Sequence, residues 1–242
     1  MMAQTMAFGV VLRELRSAQK TAKGVSLYSR HINRPAGRVI AAAAYRIGLT
    51  PNQVTLVSAA FSFSAVAALA FTPPSWPLAL TVYLGLALGF AFDSADGQLA
   101  RLRKESSPAG EWLDHVVDCA KITALHAAVL ISFYRFFDLP GSGWLLLPLG
   151  FQFAAVLTFF GGLLTDKLKP KAGATALPAA PSRVRAVALL PVDYGVFCAV
   201  FLLLGSERLF LGAYTALFAV HALFLAAFTA KWFRELAAIR PA

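Results

Sequence analysis

FDSADGQLARLRKESSPAGEWLDHVVDC, residues 92–119, is a short polar stretch between two long apolar segments. It contains four aspartates: Asp93, Asp96, Asp114 and Asp118. If both ends of the stretch are helical, the spacings of three and four residues place each pair of aspartates on one helix face. A charge at the bilayer centre costs roughly 2.5–3.5 kcal/mol on insertion scales. Four carboxylates at the ends of two membrane helices therefore indicate a bound cation.

The residue types in this stretch favour a hard divalent cation. Carboxylate oxygens suit Mg²⁺ or Mn²⁺, and Ca²⁺ could compete. No histidine or cysteine joins the aspartates at ligand spacing. Because Mg²⁺ commonly binds through a few carboxylates while phosphate oxygens complete its coordination, the aspartates also predict a ligand with a diphosphate.

The order and spacing of the small and charged residues resemble a known signature. The pattern is Asp-x-x-Asp-Gly-x-x-Ala-Arg, eight further residues, then Gly-x-x-x-Asp-x-x-x-Asp, and it is similar to that of the CDP-alcohol phosphotransferase family. All eight fixed positions and the spacer agree: Asp93, Asp96, Gly97, Ala100, Arg101, Gly110, Asp114 and Asp118. Thr50-Pro51-Asn52, before the first apolar segment, also resembles this family.

The resemblance implies a role for each of these residues. It makes Asp93, Asp96 and Asp114 metal ligands, for two ions of Mg²⁺ or Mn²⁺. It makes Asp118 the general base, and leaves open that Asp118 also touches one metal. The residues expected to bind the nucleotide donor are Asn52, Gly97, Ala100, Arg101 and Gly110, with Arg101 suited to phosphate oxygens because guanidinium forms two parallel hydrogen bonds.

The implied reaction joins an alcohol to a phosphoalcohol and releases CMP. Either the donor is CDP-diacylglycerol and the acceptor a small polar alcohol, such as glycerol phosphate or inositol phosphate, or the donor is a soluble CDP-headgroup and the acceptor a lipid or polyol. A basic loop favours a phosphorylated acceptor and hence the first version. Arg183, Arg185 and Lys167 are the candidate acceptor-binding residues, although charges at these positions also serve to set topology.

Composition indicates a polytopic membrane protein. The 242 residues are 58% hydrophobic and 14% charged, with a net charge of +10. Long apolar runs and few charges argue against a nucleic-acid binder, and the positive excess fits loops that face anionic lipid headgroups. The two cysteines lie in apolar runs, so we expect no structural disulfide.

Six apolar segments approach the ~20 residues that a bilayer requires. They cover residues 54–72, 76–93, 113–137, 144–165, 186–204 and 209–231. Nineteen lysines and arginines fall on the side of both termini and the aspartate stretch, against two on the other side. Positive loops stay in the cytoplasm, so both termini and the site are predicted to face the cytoplasm from the cell membrane.

The fold prediction is an all-α integral membrane protein. A basic interfacial segment is expected over residues 1–50, a six-helix domain over 51–235 and a tail over 236–242. Within the first segment, apolar and basic residues alternate at helical spacing, which is typical of an amphipathic helix lying in the membrane interface; a frayed basic leader is the alternative. The residues are Phe8, Val11, Leu12 and Leu15 against Arg13, Arg16, Lys20 and Lys23.

Two other classes of protein compete with the enzyme. A cation transporter could use the aspartates as an ion site, but transport gives no reason for Gly97, Ala100, Arg101 and Gly110. A silent relative acting as an assembly partner is disfavoured because no fixed position is lost. Gly85-x-x-x-Gly89, together with the resemblance, suggests a homodimer, although packing within the chain explains these two glycines equally well.

Overall fold

The computed structural model describes residues 7–17, 24–169 and 182–239, and this part of the chain is helical without any strand. The all-α prediction is therefore confirmed for it. In chain order its α-helices are α1 (Phe8–Ser17), α2 (Arg34–Arg46), α3 (Pro51–Phe71), α4 (Trp76–Arg103), α5 (Pro108–Phe136), α6 (Leu146–Leu168), α7 (Arg183–Ala188), α8 (Tyr194–Val200) and α9 (Glu207–Ala237). One π-helical turn, Ser29–Asn33, and the 3₁₀ turns Ser142–Leu145, Leu190–Val192 and Phe201–Leu203 join them.

Five helical stretches are long and apolar enough to cross a membrane. They are Pro51–Phe71, Trp76–Arg103, Pro108–Phe136, Ser142–Leu168 and Glu207–Ala237. These correspond to five of the six predicted spans. The protein is thus an all-helical integral membrane protein, as its composition indicates.

The predicted span 186–204 is not one helix. It is divided into α7, a 3₁₀ turn, α8 and a second 3₁₀ turn. Pro191 has no N–H to donate and cannot continue a helix. Asp193 then starts α8 by accepting a hydrogen bond from the Gly195 N–H at 2.8 Å. Apolar composition alone did not indicate these two interruptions.

Helix α1 contains part of the predicted amphipathic segment. Val11 and Leu15 are fully buried and belong to a cluster with residues of α2, α3 and α4. The apolar side of α1 therefore contacts protein. Lys20 and Lys23, which the prediction placed on the opposite side, lie outside the described residues.

Helices α3 and α5 each begin with a cap residue followed by a proline. Thr50 and Gln53 form a capping box before Pro51, and Ser107 accepts a hydrogen bond from the Gly110 N–H at 3.1 Å. Lys104, with φ of 58°, ends α4 in the left-handed conformation. Only four residues then separate α4 from α5, so the two helices run antiparallel and their aspartates face each other.

Glycines let α3 and α4 approach closely. A Cβ on Gly85 would lie 2.8 Å from the Ala65 Cβ, and one on Gly89 would lie 3.1 Å from the Ser58 carbonyl oxygen. The Ser58 hydroxyl also donates to the Gly89 carbonyl at 2.7 Å. Both glycines therefore pack within the chain, and they no longer support the predicted homodimer.

Polar contacts show which helix ends lie together. The Lys169 ammonium pairs with Glu235 at 2.7 Å, so the end of α6 lies beside the end of α9. The Asp138 N–H, which follows α5, donates to Glu207 at the start of α9 at 3.2 Å. Helices α6 and α9 are consequently parallel, and the chain between them returns from one end of the bundle to the other.

Candidate functional site

Three of the predicted metal ligands lie together between α4 and α5. Asp93, Asp114 and Asp118 each offer a carboxylate oxygen within 4.8 Å of the other two. Asp93 comes from α4, and one turn of α5 separates Asp114 from Asp118. A cluster of three carboxylates from two helices fits the oxygen coordination that Mg²⁺ or Mn²⁺ prefers.

Asp96 is held apart from this cluster by its own hydrogen bonds. Its side chain is buried, at 6% exposed. Thr55 Oγ1 of α3 donates to one carboxylate oxygen at 2.6 Å, and the Gly97 N–H contacts the other at 2.5 Å. Because one oxygen bonds Thr55, Asp96 would reach a metal through its remaining lone pairs. Nothing in the residue pattern indicated that Thr55 orients Asp96.

Lys121 is a functional candidate that the sequence interpretation passed over. Its ammonium lies 2.5 Å from Asp93 and 3.2 Å from Asp118, and it donates to the Ser58 hydroxyl at 3.0 Å. A buried lysine inside a membrane helix is costly without a partner. The sequence did contain a signal for this role: Lys121 lies within an apolar segment, three residues after Asp118.

The large cavity is formed by the ends of α3, α4 and α5 and by the turn between the last two. Its volume is about 480 Å³. The residues predicted to bind the donor all line it: Asn52, Gly97, Ala100, Arg101 and Gly110, together with Asp96 and Asp114. The structure thus brings together residues that are up to 62 positions apart, from Asn52 to Asp114.

The two glycines keep the large cavity open. A Cβ on Gly97 would lie 3.3 Å from an Arg101 guanidinium nitrogen, and one on Gly110 would lie 3.1 Å from the Asn52 side-chain oxygen. Both side chains that would be displaced also line the cavity. The predicted donor-binding role of Gly97 and Gly110 therefore has a steric basis.

Helix α2 brings another cation towards Arg101. Arg34 interacts electrostatically with Arg101, and the Gln98 amide of α4 donates to the Arg34 carbonyl at 3.1 Å. Burial, with the neighbouring Arg30, lowers the pKa of Arg34 from its ordinary value. A guanidinium nevertheless stays protonated at neutral pH, so this end of the cavity is electropositive.

Two further cavities lie deeper in the bundle. The small cavity, about 160 Å³, is lined by Ser62, Phe90, Asp93, Asp118, Lys121, Ile122, Phe159 and Tyr194. The apolar cavity, about 230 Å³, is lined mainly by aromatic and aliphatic side chains of α5, α6, α8 and α9. Ile122, Phe159 and Tyr194 line both, so these two cavities adjoin each other.

The predicted acceptor-binding cations do not join the site. The Lys167 ammonium pairs with Glu111 at 2.5 Å on the surface; Glu111 lines the rim of the large cavity. Arg183 and Arg185 are exposed on α7. Among the described residues that line the three cavities, none of these three cations is present.

The chain matches the CDP-alcohol phosphatidyltransferase family over residues 48–229, which is most of its length. It therefore belongs to this family, and the resemblance inferred from the aspartate signature is confirmed. The chain is also similar to "Cholinephosphotransferase 1" of Saccharomyces cerevisiae, with 29% identity over 142 residues. This match covers 56% of the chain and 34% of the yeast protein, so the chain spans about a third of that relative's length.

Proposed function

We propose that this protein transfers a phosphoalcohol group from a CDP-alcohol to the hydroxyl of an acceptor and releases CMP, in phospholipid synthesis. The observation that carries the proposal is the large cavity, where the signature residues meet beside the Asp93, Asp114 and Asp118 cluster. Family membership and the name of the yeast relative support the same reaction class.

In this proposal the carboxylates hold Mg²⁺ or Mn²⁺. Asp93, Asp114 and Asp118 form the core of the metal site, and Asp96 completes it from the wall of the large cavity. Divalent ions there would neutralise charge on the attacking and leaving oxygens of a displacement at phosphorus.

The nucleotide half of the donor would occupy the large cavity. Arg101 binds phosphate oxygens with its fork of N–H groups, and Arg34 adds positive charge beside it. Gly97 and Gly110 leave space for the cytidine and the diphosphate, because a side chain at either position would press on Arg101 or Asn52.

Asp118 would take the acceptor's proton. It lines the small cavity rather than the large one, so it faces a space separate from the proposed nucleotide position. The acceptor oxygen forms a bond to the phosphorus that carries the donor alcohol. The bond from that phosphorus to CMP breaks, and CMP leaves with the bonding electrons.

We also propose six membrane crossings, with both termini and the large cavity at the cytoplasmic face. The parallel directions of α6 and α9 support a crossing between them, because the chain that joins two parallel helices returns to the opposite end of the bundle. We assign this crossing to residues 182–206, the described and largely apolar part of that connection. The distribution of lysine and arginine supports the orientation. The charged side of α1 would then lie at the interface while Val11 and Leu15 contact the protein.

The test is CMP release by the purified full-length protein in lipid, with Mg²⁺ or Mn²⁺. CDP-diacylglycerol, CDP-choline, CDP-ethanolamine and CDP-glycerol are supplied as donors with polar and lipid acceptors in turn. We expect release that requires one donor and one acceptor and is lost with a chelator. A protein that releases CMP with no combination, while its fold remains intact, would contradict the transferase proposal.

A further inference from the structure

The cavities are ordered by their distance from the α4–α5 turn. The large cavity touches that turn, from Glu105 to Pro108. Asp118, in the small cavity, lies ten residues into α5, and His126, in the apolar cavity, lies eighteen residues in. At ~1.5 Å per residue, these positions are about 15 and 27 Å from the start of the helix. The site therefore becomes less polar with depth.

The small cavity presents polar atoms that lack strong partners. Ser62 is 1% exposed, and its hydroxyl has no hydrogen-bond partner among the described residues. The Tyr194 hydroxyl is also buried without an oxygen or nitrogen partner there, and its neighbour, the Cys198 thiol, is only a weak hydrogen-bonding group. Buried hydroxyls are nearly always paired, so both point to a ligand with hydrogen-bonding oxygens.

The apolar cavity adjoins the small cavity, and its lining is mostly apolar. Its lining includes Phe151, Phe197, Phe224 and Phe228. The two histidines in its wall already have partners: His126 Nδ1 bonds the Tyr214 hydroxyl at 2.6 Å, and His221 Nδ1 bonds the Leu217 carbonyl at 2.9 Å. Apart from Thr158 and Tyr194, the other described residues of this wall are apolar or already paired, so a hydrocarbon chain matches it better than a charged or sugar-like ligand.

We propose that the small and apolar cavities together form the acceptor site, and that the acceptor is an alcohol carrying a hydrocarbon chain. Its hydroxyl lies between Asp118, Ser62 and Tyr194, and its chain fills the apolar cavity. The two cavities, about 160 and 230 Å³, together reach the ~300–1,000 Å³ of typical ligand pockets. The inference rests on the proposed transferase function and specifies its substrates.

The position of the donor follows from this assignment. In an in-line displacement the attacking oxygen and the leaving oxygen lie on opposite sides of the phosphorus. The large cavity shares no lining residue with the small one, and the carboxylate cluster contributes to both. CMP leaves into the large, polar cavity as the acceptor enters from the apolar side. The donor alcohol stays on the phosphorus, and the apolar cavity is already assigned to the chain of the acceptor. The donor is then a soluble CDP-alcohol, in contrast to the lipid-linked donor that the sequence favoured.

The proton and the electrons balance without another reactant. The acceptor O–H loses its proton to the Asp118 carboxylate as its oxygen bonds phosphorus. The P–O bond to CMP breaks, and CMP carries away the electron pair. The product is a phosphodiester that keeps the hydrocarbon chain of the acceptor.

The first experiment measures which substrate must be a lipid. The full-length protein in nanodiscs receives each soluble CDP-alcohol, either with dioleoylglycerol or with a polar acceptor. The polar acceptors are glycerol phosphate and inositol phosphate. In a separate series, CDP-diacylglycerol is supplied with the same two polar acceptors. We expect CMP only from a soluble donor with dioleoylglycerol. Release from CDP-diacylglycerol with a polar acceptor would overturn this inference while supporting the transferase function. Release from no combination would overturn both.

The second experiment fills the apolar cavity. Ala155 lines it, so Ala155→Phe should raise the KM for dioleoylglycerol about tenfold or more while leaving the KM for the soluble donor unchanged. Leu157→Phe is the matched control, because Leu157 is exposed on the same helix and outside the cavity. Thermal stabilisation of Ala155→Phe by CDP verifies that the variant is folded. Equal KM values for dioleoylglycerol in the two variants would show that the apolar cavity does not bind the acceptor.

Binding without turnover provides an independent readout. A photoactivatable diacylglycerol should crosslink to residues of the apolar cavity in the Asp118→Asn protein, and excess dioleoylglycerol should compete. Crosslinks confined to the outer surface of the bundle would contradict the assignment.

Discussion

The carboxylates of the site lie in two different environments. Asp96 bonds Thr55 at 2.6 Å and lines the large cavity, whereas Asp93 and Asp118 share the Lys121 ammonium and line the small one. Side chains of identical chemistry are thereby suited to different tasks. The depth of Asp118, next to unpartnered hydroxyls, is what supports its assignment as the base.

Replacing Asp118 by asparagine should abolish proton transfer while keeping the side-chain shape. A general base contributes roughly 10²–10⁴-fold to rate, so we expect CMP release to fall by at least about 100-fold. Asp166→Asn is the control, because Asp166 is exposed outside the three cavities. Unchanged turnover in Asp118→Asn would remove Asp118 from the base role.

Replacing Lys121 by methionine should leave the partly buried Asp93 and Asp118 together without their cation. Removing one partner of a buried ion pair typically costs about 3–5 kcal/mol. We expect a lower melting temperature in chelator than for the unaltered protein, with Mg²⁺ restoring more stability in the variant. Lys231→Met removes only an exposed contact to Glu235. It should change neither the melting temperature in chelator nor the stabilisation by Mg²⁺. If Lys121→Met and the unaltered protein had the same melting temperature in chelator, Lys121 would not stabilise the carboxylates.

At the scale of elements, α3 and α4 form the frame that holds the site. They touch closely at Gly85 and Gly89, and Ser58 bonds both the Gly89 carbonyl and the Lys121 ammonium. Helix packing and the position of Lys121 are therefore coupled through one hydroxyl. A shift of α3 would also move Thr55 away from Asp96.

Gly89→Ala should separate these helices. The added Cβ would lie 3.1 Å from a backbone oxygen and closer still to the Ser62 hydroxyl, and overpacking of this kind costs about 1–3 kcal/mol. We expect a lower melting temperature together with lower turnover. Gly212→Ala is the matched control, because its Cβ would meet nothing within 4 Å. The same melting temperature in both variants would refute close packing at Gly89.

The starts of α3 and α5 follow local sequence signals, whereas the predicted span 186–204 does not form one helix. Thr50, Ser107 and the prolines after them act within one turn, so their effect is visible in the sequence. The segment 186–204 is mostly apolar, yet Pro191 and Asp193 divide it. Asp193 is retained there because Ser26 and Ser29, from distant positions in the chain, hydrogen-bond to its carboxylate.

Considered as a whole, the molecule has a polar end and an apolar middle. The large cavity opens beside the α4–α5 turn, and the apolar cavity lies deep between α5, α6 and α9. In the proposed reaction, a soluble CDP-alcohol and a lipid alcohol reach the carboxylates from these two sides.

The proposed topology predicts which loops are accessible from outside the cell. With Cys119 and Cys198 replaced by alanine, an impermeant maleimide should label Gly143→Cys and Arg208→Cys in intact cells. Ser106→Cys, in the α4–α5 turn, should react only after permeabilisation. Labelling of Ser106→Cys alone in intact cells would show that the orientation is opposite to the proposed one. Different behaviour of Gly143→Cys and Arg208→Cys would contradict the crossing by residues 182–206.

The sequence by itself determined the membrane class and, through the resemblance carried by its signature, six residues that line the large cavity. These depend on composition, on helix periodicity and on a spacing confined to 26 residues, from Asp93 to Asp118. Only the tertiary structure decided that Thr55 holds Asp96, that Lys121 joins Asp93 to Asp118, and that an apolar cavity adjoins the proposed base. Each of these is a contact between helices, and such contacts depend on how the helices pack rather than on any local pattern.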